Sequence, residues 1–362
     1  MPQQVALSAL PRACLAILAV IATGAALYWL ADILTPAAMA LFLAIVIDGF
    51  ARVLKRRLPW LPQAAALPVA LVASILLFGA AIFVVADNAT SFFGRLIAYT
   101  PRFNELIAQA AHLVGVDVAP TIDELIQRLN PTRYLGDVAR GLQNFASNAL
   151  FILVYLGFII ASRRTFERKM AALAENHGGR RETLAAFLRI RHGIEQYLWV
   201  QTVTGLMIAG GSWVAMAVMG LENAVFWAFL IFIASYIPII GGALGILAPP
   251  LFALIQFESY WPALILLAVL QGIQFVVGNI VQPRMQGESL NIDPVVVLLS
   301  LALWGKLWGV AGMFLSTPLT VMAMVILAQF ESSRWLAILL SADGSPVKAR
   351  RRGRHASVKP QS

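Results

Sequence analysis

The sequence predicts an all-α, polytopic transmembrane helix bundle of about eight spans, with broken or re-entrant helices in its C-terminal half. Of the 362 residues, 60% are hydrophobic and only 12% are charged, and apolar stretches near twenty residues long recur along the chain. A water-facing surface with so little charge would expose large apolar patches, which lipid tolerates and water does not. About twenty consecutive apolar residues match the thickness of a bilayer core.

The N-terminal segment, 1–86, contains three predicted spans. We place them at 13–31, 36–50 and 64–86. The first is too long for the core of a signal peptide, so we interpret it as a retained helix. We expect a tight hairpin around Asp32 and Pro36 and a basic loop at 51–63.

The next segment, 87–145, has no run long enough to span and is predicted to be an extracytoplasmic amphipathic helical region. Three apolar stripes at helical spacing occur at 103–114, 122–129 and 134–145. A helical cap packed on the bundle or lying at the membrane interface would explain them. The alternative is a partner-binding or subunit-contact region.

The C-terminal transmembrane transport core, 146–340, holds the remaining spans and a charged cytoplasmic segment, 163–197. Plain spans are predicted at 146–161, 198–219 and 261–282. The stretches 224–257 and 294–330 are too long for one plain helix and contain Pro and Gly, so single tilted helices, helix pairs and re-entrant hairpins all stay open. The tail, 341–362, is basic and predicted to be disordered.

Basic residues cluster in 51–63, 163–197 and the tail, which accounts for the net charge of +9. The positive-inside rule places these regions, and both chain termini, on the cytoplasmic side, with 87–145 outside. This distribution predicts membrane lipid as a partner and no nucleic acid.

Two breaks in the over-long stretches are candidate gating elements. The residues that form them are Pro238, Gly241 and Gly242 in the first, and Gly305, Gly309 and Gly312 in the second. Transporters place substrate and ion sites at broken helices near mid-membrane, because the freed backbone groups must be covered by protein or water. The alternative is a pair of kinks whose glycines only allow close helix packing.

Polar side chains within the spans are candidates for a substrate path. Gln271, Gln274 and Asn279 follow helical spacing along one face, and Gln201 lies in an earlier span. Such groups are costly against lipid and are expected to face a hydrated interior. Interhelical hydrogen bonds that only hold helices together are the alternative.

Three charged residues near span ends are candidate charge contacts. Asp48 can contact an ion or pair with Arg52 at i,i+4 spacing. Asp293 can do the same or cap the helix that begins at Pro294. Lys306 lies between two glycines and can contact substrate or extend to the membrane interface.

No enzyme site is predicted. The four histidines lie outside the spans, Cys14 is the lone cysteine, and no metalloprotease, Walker or nucleophile-elbow motif occurs. We therefore expect no cofactor and no metal.

The C-terminal half resembles the autoinducer-2 exporter family, also called PerM-like permeases. The resemblance is carried by Tyr236-Ile237-Pro238-Ile239-Ile240-Gly241, by Asn279-x-x-x-Pro283-x-x-x-Gly287, by Asp293-Pro294-Val295, by Gly305-x-x-x-Gly309-x-x-Gly312 and by Tyr197-Leu198-x-x-Gln201. The order of spans fits as well. The sequence departs from the family at Gly242, where proline is common, and at Lys306, where a small or neutral residue is common.

The resemblance implies a secondary transporter or permease of the bacterial cytoplasmic (inner) membrane. Export of autoinducer-2 is attributed to some members and sodium/proton antiport to others. We expect a small polar solute to be exported, with an autoinducer-2-like signal as one candidate. A monovalent cation/proton antiporter and a non-transporting membrane scaffold are the alternatives. Small residues in the spans also permit a homo-oligomer.

Overall fold

The structure is a computed structural model that describes residues 9–60, 62, 65, 67–76, 79, 83, 99–114, 148–162, 165, 168–169, 180–286 and 291–344. Within these residues all regular structure is helical, which confirms the all-α prediction. Four helices are long and apolar enough to cross a membrane: Ala31–Arg57, His192–Val218, Trp261–Met285 and Pro294–Leu327. Shorter apolar helices accompany them.

The helices are numbered here in chain order. They are α1 Ala9–Trp29, α2 Ala31–Arg57, α3 Leu67–Leu76, α4 Thr100–Val114, α5 Asn148–Ser162, α6 Arg180–Val218, α7 Ala224–Ser235, α8 Ile240–Gln256, α9 Trp261–Val276, α10 Gln282–Gln286, α11 Pro294–Leu327 and α12 Arg334–Leu340. A π-helical segment, Val277–Val281, joins α9 to α10.

The N-terminal helices differ from the prediction at two points. The turn between α1 and α2 lies at Leu30, and Pro36 is buried inside α2 rather than at the turn. The expected loop at 51–63 is largely helical, because the last turn of α2 contains Lys55, Arg56 and Arg57. Cations are favourable at a helix C-terminus, where unpaired carbonyl groups concentrate negative charge.

The predicted amphipathic and charged segments can be compared with helices α4 and α6. The first amphipathic stripe, in 103–114, lies on α4 as expected. The stripes at 122–129 and 134–145 lie outside the described residues. The charged segment predicted at 163–197 shares one helix with the span that follows it, because α6 runs unbroken for 39 residues from Arg180 to Val218.

The first over-long stretch folds as a helical hairpin, called here the first hairpin: α7 and α8 joined by a tip at 236–239. The Gln256 amide at the end of α8 donates to Gly220 O at 2.8 Å and accepts from Glu222 N–H at 2.8 Å. The rings of Trp227 and Phe252 lie 5.7 Å apart between the two arms. Pro249 and Pro250, expected to interrupt the stretch, are buried within α8.

The second over-long stretch, α11, also folds back on itself and forms the second hairpin. Its backbone is non-helical at Gly309, with φ 63° and ψ −144°. Beyond this point the chain reverses, since Ile292 before the first arm packs against Val321 and Val325 of the second. A Cβ atom at Gly312 would overlap the carbonyl of Trp304 on the opposite arm.

The two hairpins enter the bundle from opposite ends. Arg52 near the end of α2 pairs with Glu195 of α6 at 3.1 Å, so these ends lie together. The first hairpin opens near Val218, at the other end of α6. The tip of the second hairpin lies at that same end, because Trp308 Nε1 donates to Leu27 O at 3.0 Å, just before the turn into α2.

The core consists of packed helix faces rather than one central layer. The largest cluster joins α6, the first hairpin and α9, around Met216, Ile231, Phe252 and Leu266. A second cluster joins α2, α6 and the second hairpin, around Leu198 and Leu315. Tyr236, at the tip of the first hairpin, also belongs to this second cluster and stacks on Phe314 at 4.7 Å, so the two hairpins meet beside α6.

Candidate solute pathway

A cavity of about 380 Å³ lies at the tip of the first hairpin. Side chains from α6, the hairpin, α9, α10 and α11 contribute to its wall. The lining residues are Tyr197, Gln201, Thr204, Ile208, Ile231, Ser235, Ile237, Pro238, Ile239, Gly241, Gly242, Gln274, Gln282, Ile292, Val297 and Thr317. Amide and hydroxyl groups face this space, and none of these residues carries an ionisable group except the phenol of Tyr197.

The hairpin tip is stable because the backbone groups freed by the break have partners. Each of the last four carbonyl groups of α7 accepts a hydrogen bond, as a helix end in hydrocarbon requires. The three local bonds are Ser235 Oγ to Phe232 O at 2.7 Å, Tyr236 N–H to Ile233 O at 3.3 Å and Ile237 N–H to Ala234 O at 2.8 Å. The Gln201 side chain donates to the fourth carbonyl, that of Ser235.

Two glycines at the break allow close approaches. A Cβ atom at Gly241 would overlap the carbonyl of Ala234 at the end of α7. A Cβ atom at Gly242 would lie 3.3 Å from Nε2 of Gln274, which is tighter than ordinary contact. The glycine at 242 therefore leaves room for the Gln274 amide in the cavity wall.

The π-helical segment determines which polar side chains of the following turns reach the cavity. The Gln282 N–H donates to Val277 O, five residues earlier, instead of four. Pro283 follows directly, and a proline ring in a plain α-helix would collide with the carbonyl four residues before it, that of Asn279. The wider π turn relieves this collision, and such turns often occur at functional sites.

The structure brings some of the predicted path residues together and separates others. Gln201 and Gln274 both line the cavity, together with the break residues Pro238, Gly241 and Gly242. Two others lie elsewhere: Gln271 is exposed one turn before Gln274, and Asn279 is exposed in the π segment, where its Nδ2 donates to Phe275 O at 3.1 Å.

The residues predicted at the second break do not line the cavity. Gly309 is exposed at the tip of the second hairpin with open space around it. Gly305 and Gly312 sit where the two arms meet, and a Cβ atom at Gly305 would lie 2.9 Å from the Met313 side chain.

The three candidate charge contacts also lie away from the cavity. Asp48 is buried and lies 3.8 Å from Arg52, as its i,i+4 spacing suggested. Asp293 Oδ1 accepts a 2.7 Å hydrogen bond from Val295 N–H and so caps α11. Lys306 is exposed near the tip of the second hairpin.

Gln282, Thr204 and Ser235 line the cavity in addition to the predicted path residues. The helical spacing that predicts a polar face from Gln271 to Asn279 also includes Gln282, but it gives no reason to prefer Gln282 over Asn279. Pro283 is the signal that could have corrected this, because a proline at this depth predicts an irregular turn before it. Thr204 and Ser235 carry no signal in a single sequence.

Comparison with known proteins supplies the family. The sequence model described as AI-2E family transporter matches residues 15–332. The chain belongs to the AI-2E transporter family. It is 28% identical over 323 residues to the AI-2 transport protein TqsA of Escherichia coli K12, covering 86% of this chain and 90% of TqsA.

Further relatives carry names without a substrate. YhhT of Escherichia coli K12 is 27% identical over 318 residues, covering 86% of this chain and 88% of YhhT. A transport-protein relative from Haemophilus influenzae is 27% identical over 341 residues, covering 91% and 96% of the two chains. The protein is therefore a multi-pass membrane transporter of the AI-2E family, and identities of this level leave the substrate open.

Proposed function

We propose that this AI-2E transporter exports a small, neutral, polar solute across the bacterial cytoplasmic membrane, through the cavity at the tip of the first hairpin. One observation carries the proposal: three glutamine amides, from Gln201, Gln274 and Gln282, meet at a helix break. Broken helices of this kind form substrate sites in other secondary transporters.

The chemistry of the wall favours an uncharged solute. An amide group offers both donors and acceptors, so Gln201, Gln274 and Gln282 can replace the water around solute hydroxyl and carbonyl groups. A charged solute would need an opposite charge once its hydration is lost. Among the described lining residues there is no Asp, Glu, Lys, Arg or His.

The opposed hairpins support a pathway with a break on each side. The first contributes its tip, with Gly241, to the cavity, and the second has its own tip at Gly309, next to the contact of Trp308 with Leu27 O. Gating at these two breaks would alternately expose the solute. The positive-inside rule orients both termini to the cytoplasm. Autoinducer-2 is one candidate solute, because the relative TqsA is named for AI-2 transport.

The antiporter and scaffold alternatives receive less support. A cation/proton antiporter needs a titratable carboxylate in the path, and Asp48 and Asp293 lie outside the cavity wall. A scaffold would present the 87–145 region to a partner, but α4 packs on the open end of the first hairpin in the same chain, through Tyr99 and Glu222.

Flux into proteoliposomes tests the proposal. Purified protein is reconstituted, and uptake of xylitol, D-ribose and autoinducer-2 is compared with uptake of gluconate and choline as charged solutes. We expect flux for at least one neutral solute and none for the charged pair. Gln274→Ala should lower the flux about three- to tenfold, the effect of one lost hydrogen bond.

Gln271→Ala is the matched control, because it removes the same side chain one turn away, outside the cavity. It should leave the flux within about twofold of the parent. Absence of flux for every neutral solute, with protein that elutes as a folded species, would count against the proposal. If Gln271→Ala and Gln274→Ala lose flux equally, the solute path would have to lie on the outer face of α9 instead of in the cavity.

A further inference from the structure

We propose that Gln282 is a solute-binding residue of this pathway, and that the π-helical segment Val277–Val281 turns it, rather than Val281, into the cavity. The binding role rests on the proposed transport function. The placement of Gln282 in a hydrated cavity does not, and it can be tested separately.

The first step is geometric. Gln274 and Gln282 are both cavity residues, although eight residues of plain α-helix would turn them about 80° apart around the axis. The π segment holds more residues in one turn, which brings the two side chains back to one face. In a plain α-helix Val281 would take this place, because seven residues turn a side chain to within about 20° of Gln274, whereas here Val281 is half-buried and does not line the cavity.

The second step concerns hydrogen bonds. Gln282 Nε2 lies 3.5 Å from Gln201 Oε1, at the long limit of a hydrogen bond, so this contact is weak. The other end of the same Gln201 amide donates to Ser235 O at the hairpin tip. Gln201 thus links Gln282 to the first hairpin through a single planar group.

The third step follows from this linkage. A solute hydroxyl can accept from Gln282 and donate to Gln201 Oε1 in place of the long direct contact. Insertion there would shift the Gln201 amide and with it the bond that covers the last carbonyl of α7. Solute binding at Gln282 is therefore coupled to the position of the hairpin tip.

Cysteine accessibility tests the placement without any transported solute. Cys14 is the lone cysteine, so Cys14→Ser gives a cysteine-free parent. Gln282→Cys and Val281→Cys are introduced separately and treated in membranes with a neutral methanethiosulfonate reagent that carries a hydroxyethyl group. The reagent reacts with hydrated thiolate and not with a thiol in lipid.

We expect Gln282→Cys to react at least about tenfold faster than Val281→Cys, because of these two positions only 282 lines the cavity. Equal rates, or faster reaction at 281, would overturn the inference, since a plain α-helix turns position 281 toward the face of Gln274. This result stands whether or not flux is found, so its failure is separable from failure of the proposed function.

Xylitol flux in proteoliposomes tests the binding role. Gln282→Ala should lower the flux about three- to tenfold, Gln282→Asn should retain part of it, and Asn279→Ala should leave it unchanged. If the parent is active and Gln282→Ala has the same flux, Gln282 lines the cavity without binding the solute, and the binding role is overturned.

Discussion

The indole Nε1 of Trp304 lies 3.2 Å from the hydroxyl oxygen of Thr320, although sixteen residues separate them in sequence. In a straight α-helix this separation would place them about 24 Å apart. The contact is possible because the chain reverses at Gly309. A polar pair between two helices within a membrane bundle gives each group a partner that lipid cannot supply.

This pair should contribute measurably to the second hairpin. Trp304→Phe and Thr320→Val each remove one partner, and the double variant closes a thermodynamic cycle. We expect a coupling of about 0.6–1.7 kcal/mol in the free energy of unfolding, the range for such pairs in membrane bundles. Denaturant titration in detergent measures it. Strictly additive effects would mean that the arms do not meet, and Trp335→Phe, at an exposed tryptophan, serves as the control.

The glycines at close backbone approaches should not tolerate alanine. Gly241→Ala and Gly312→Ala would each drive a methyl group into a backbone carbonyl, which cannot move without shifting a helix. We expect each to lower the free energy of unfolding by about 3 kcal/mol. Gly272→Ala is the control, because nothing lies within 4 Å of its Cβ position. It should be neutral or stabilising by up to about 1 kcal/mol. Similar melting temperatures for all three variants would contradict the hairpin packing.

The sequence predicted the helical membrane fold, the two breaks and two polar residues of the cavity wall, Gln201 and Gln274, for clear physical reasons. Length and lack of charge predict spans, and Pro238 and Gly309 interrupt runs too long for one helix. A single sequence could not show that both runs fold back, because contacts such as Trp304 with Thr320 are tertiary. The prediction for Asn279 was wrong because five residues of α-helix turn a side chain about 140° from Gln274, away from the cavity face.

The same limit explains the errors near the N-terminus. Pro36 was expected at a turn because proline ends many helices, yet it is buried within α2. Lys55, Arg56 and Arg57 were expected in a loop because they are charged. Charge predicts exposure to water, and a helix that extends beyond the bilayer satisfies that requirement equally well.

Asp48 should matter for stability and not for coupling to protons. Its carboxylate pairs with Arg52, which also contacts Glu195, and none of the three lines the cavity. Asp48→Asn is expected to leave xylitol flux within about twofold of the parent from pH 6 to 8. The free energy of unfolding should fall by about 1 kcal/mol, as for a partly exposed pair. Asp293→Asn should likewise leave the xylitol flux unchanged, and it should also keep the stability of the parent, because asparagine caps a helix as well as aspartate does. Sodium flux that depends on pH and is lost in Asp48→Asn would favour the antiporter.

Helix α4 should hold the open end of the first hairpin. The Tyr99 hydroxyl, just before α4, donates to Glu222 Oε2 at 3.0 Å, and Arg102 Nη2 of α4 donates to Glu258 O at 2.6 Å. Glu222 precedes α7 and Glu258 follows α8, so both arms of the hairpin are held at their open end. The Arg102 guanidinium also lies over the Tyr260 ring, 5.9 Å from its centroid.

Removing these ties should loosen the hairpin from its open end. The double variant Tyr99→Phe, Arg102→Ala is expected to speed amide hydrogen exchange at 220–222 and 256–260 about tenfold, which corresponds to the loss of about 1.4 kcal/mol of local stability. Glu105→Gln is the matched control, because Glu105 contacts Arg102 on the exposed side at 2.6 Å and leaves the hairpin contacts in place. If exchange in these segments is the same in the double variant and the parent, α4 does not hold the hairpin. If exchange rises equally at 304–312, the effect is general unfolding, because the hydrogen bonds to Glu222 and Glu258 involve the ends of the first hairpin and not the second.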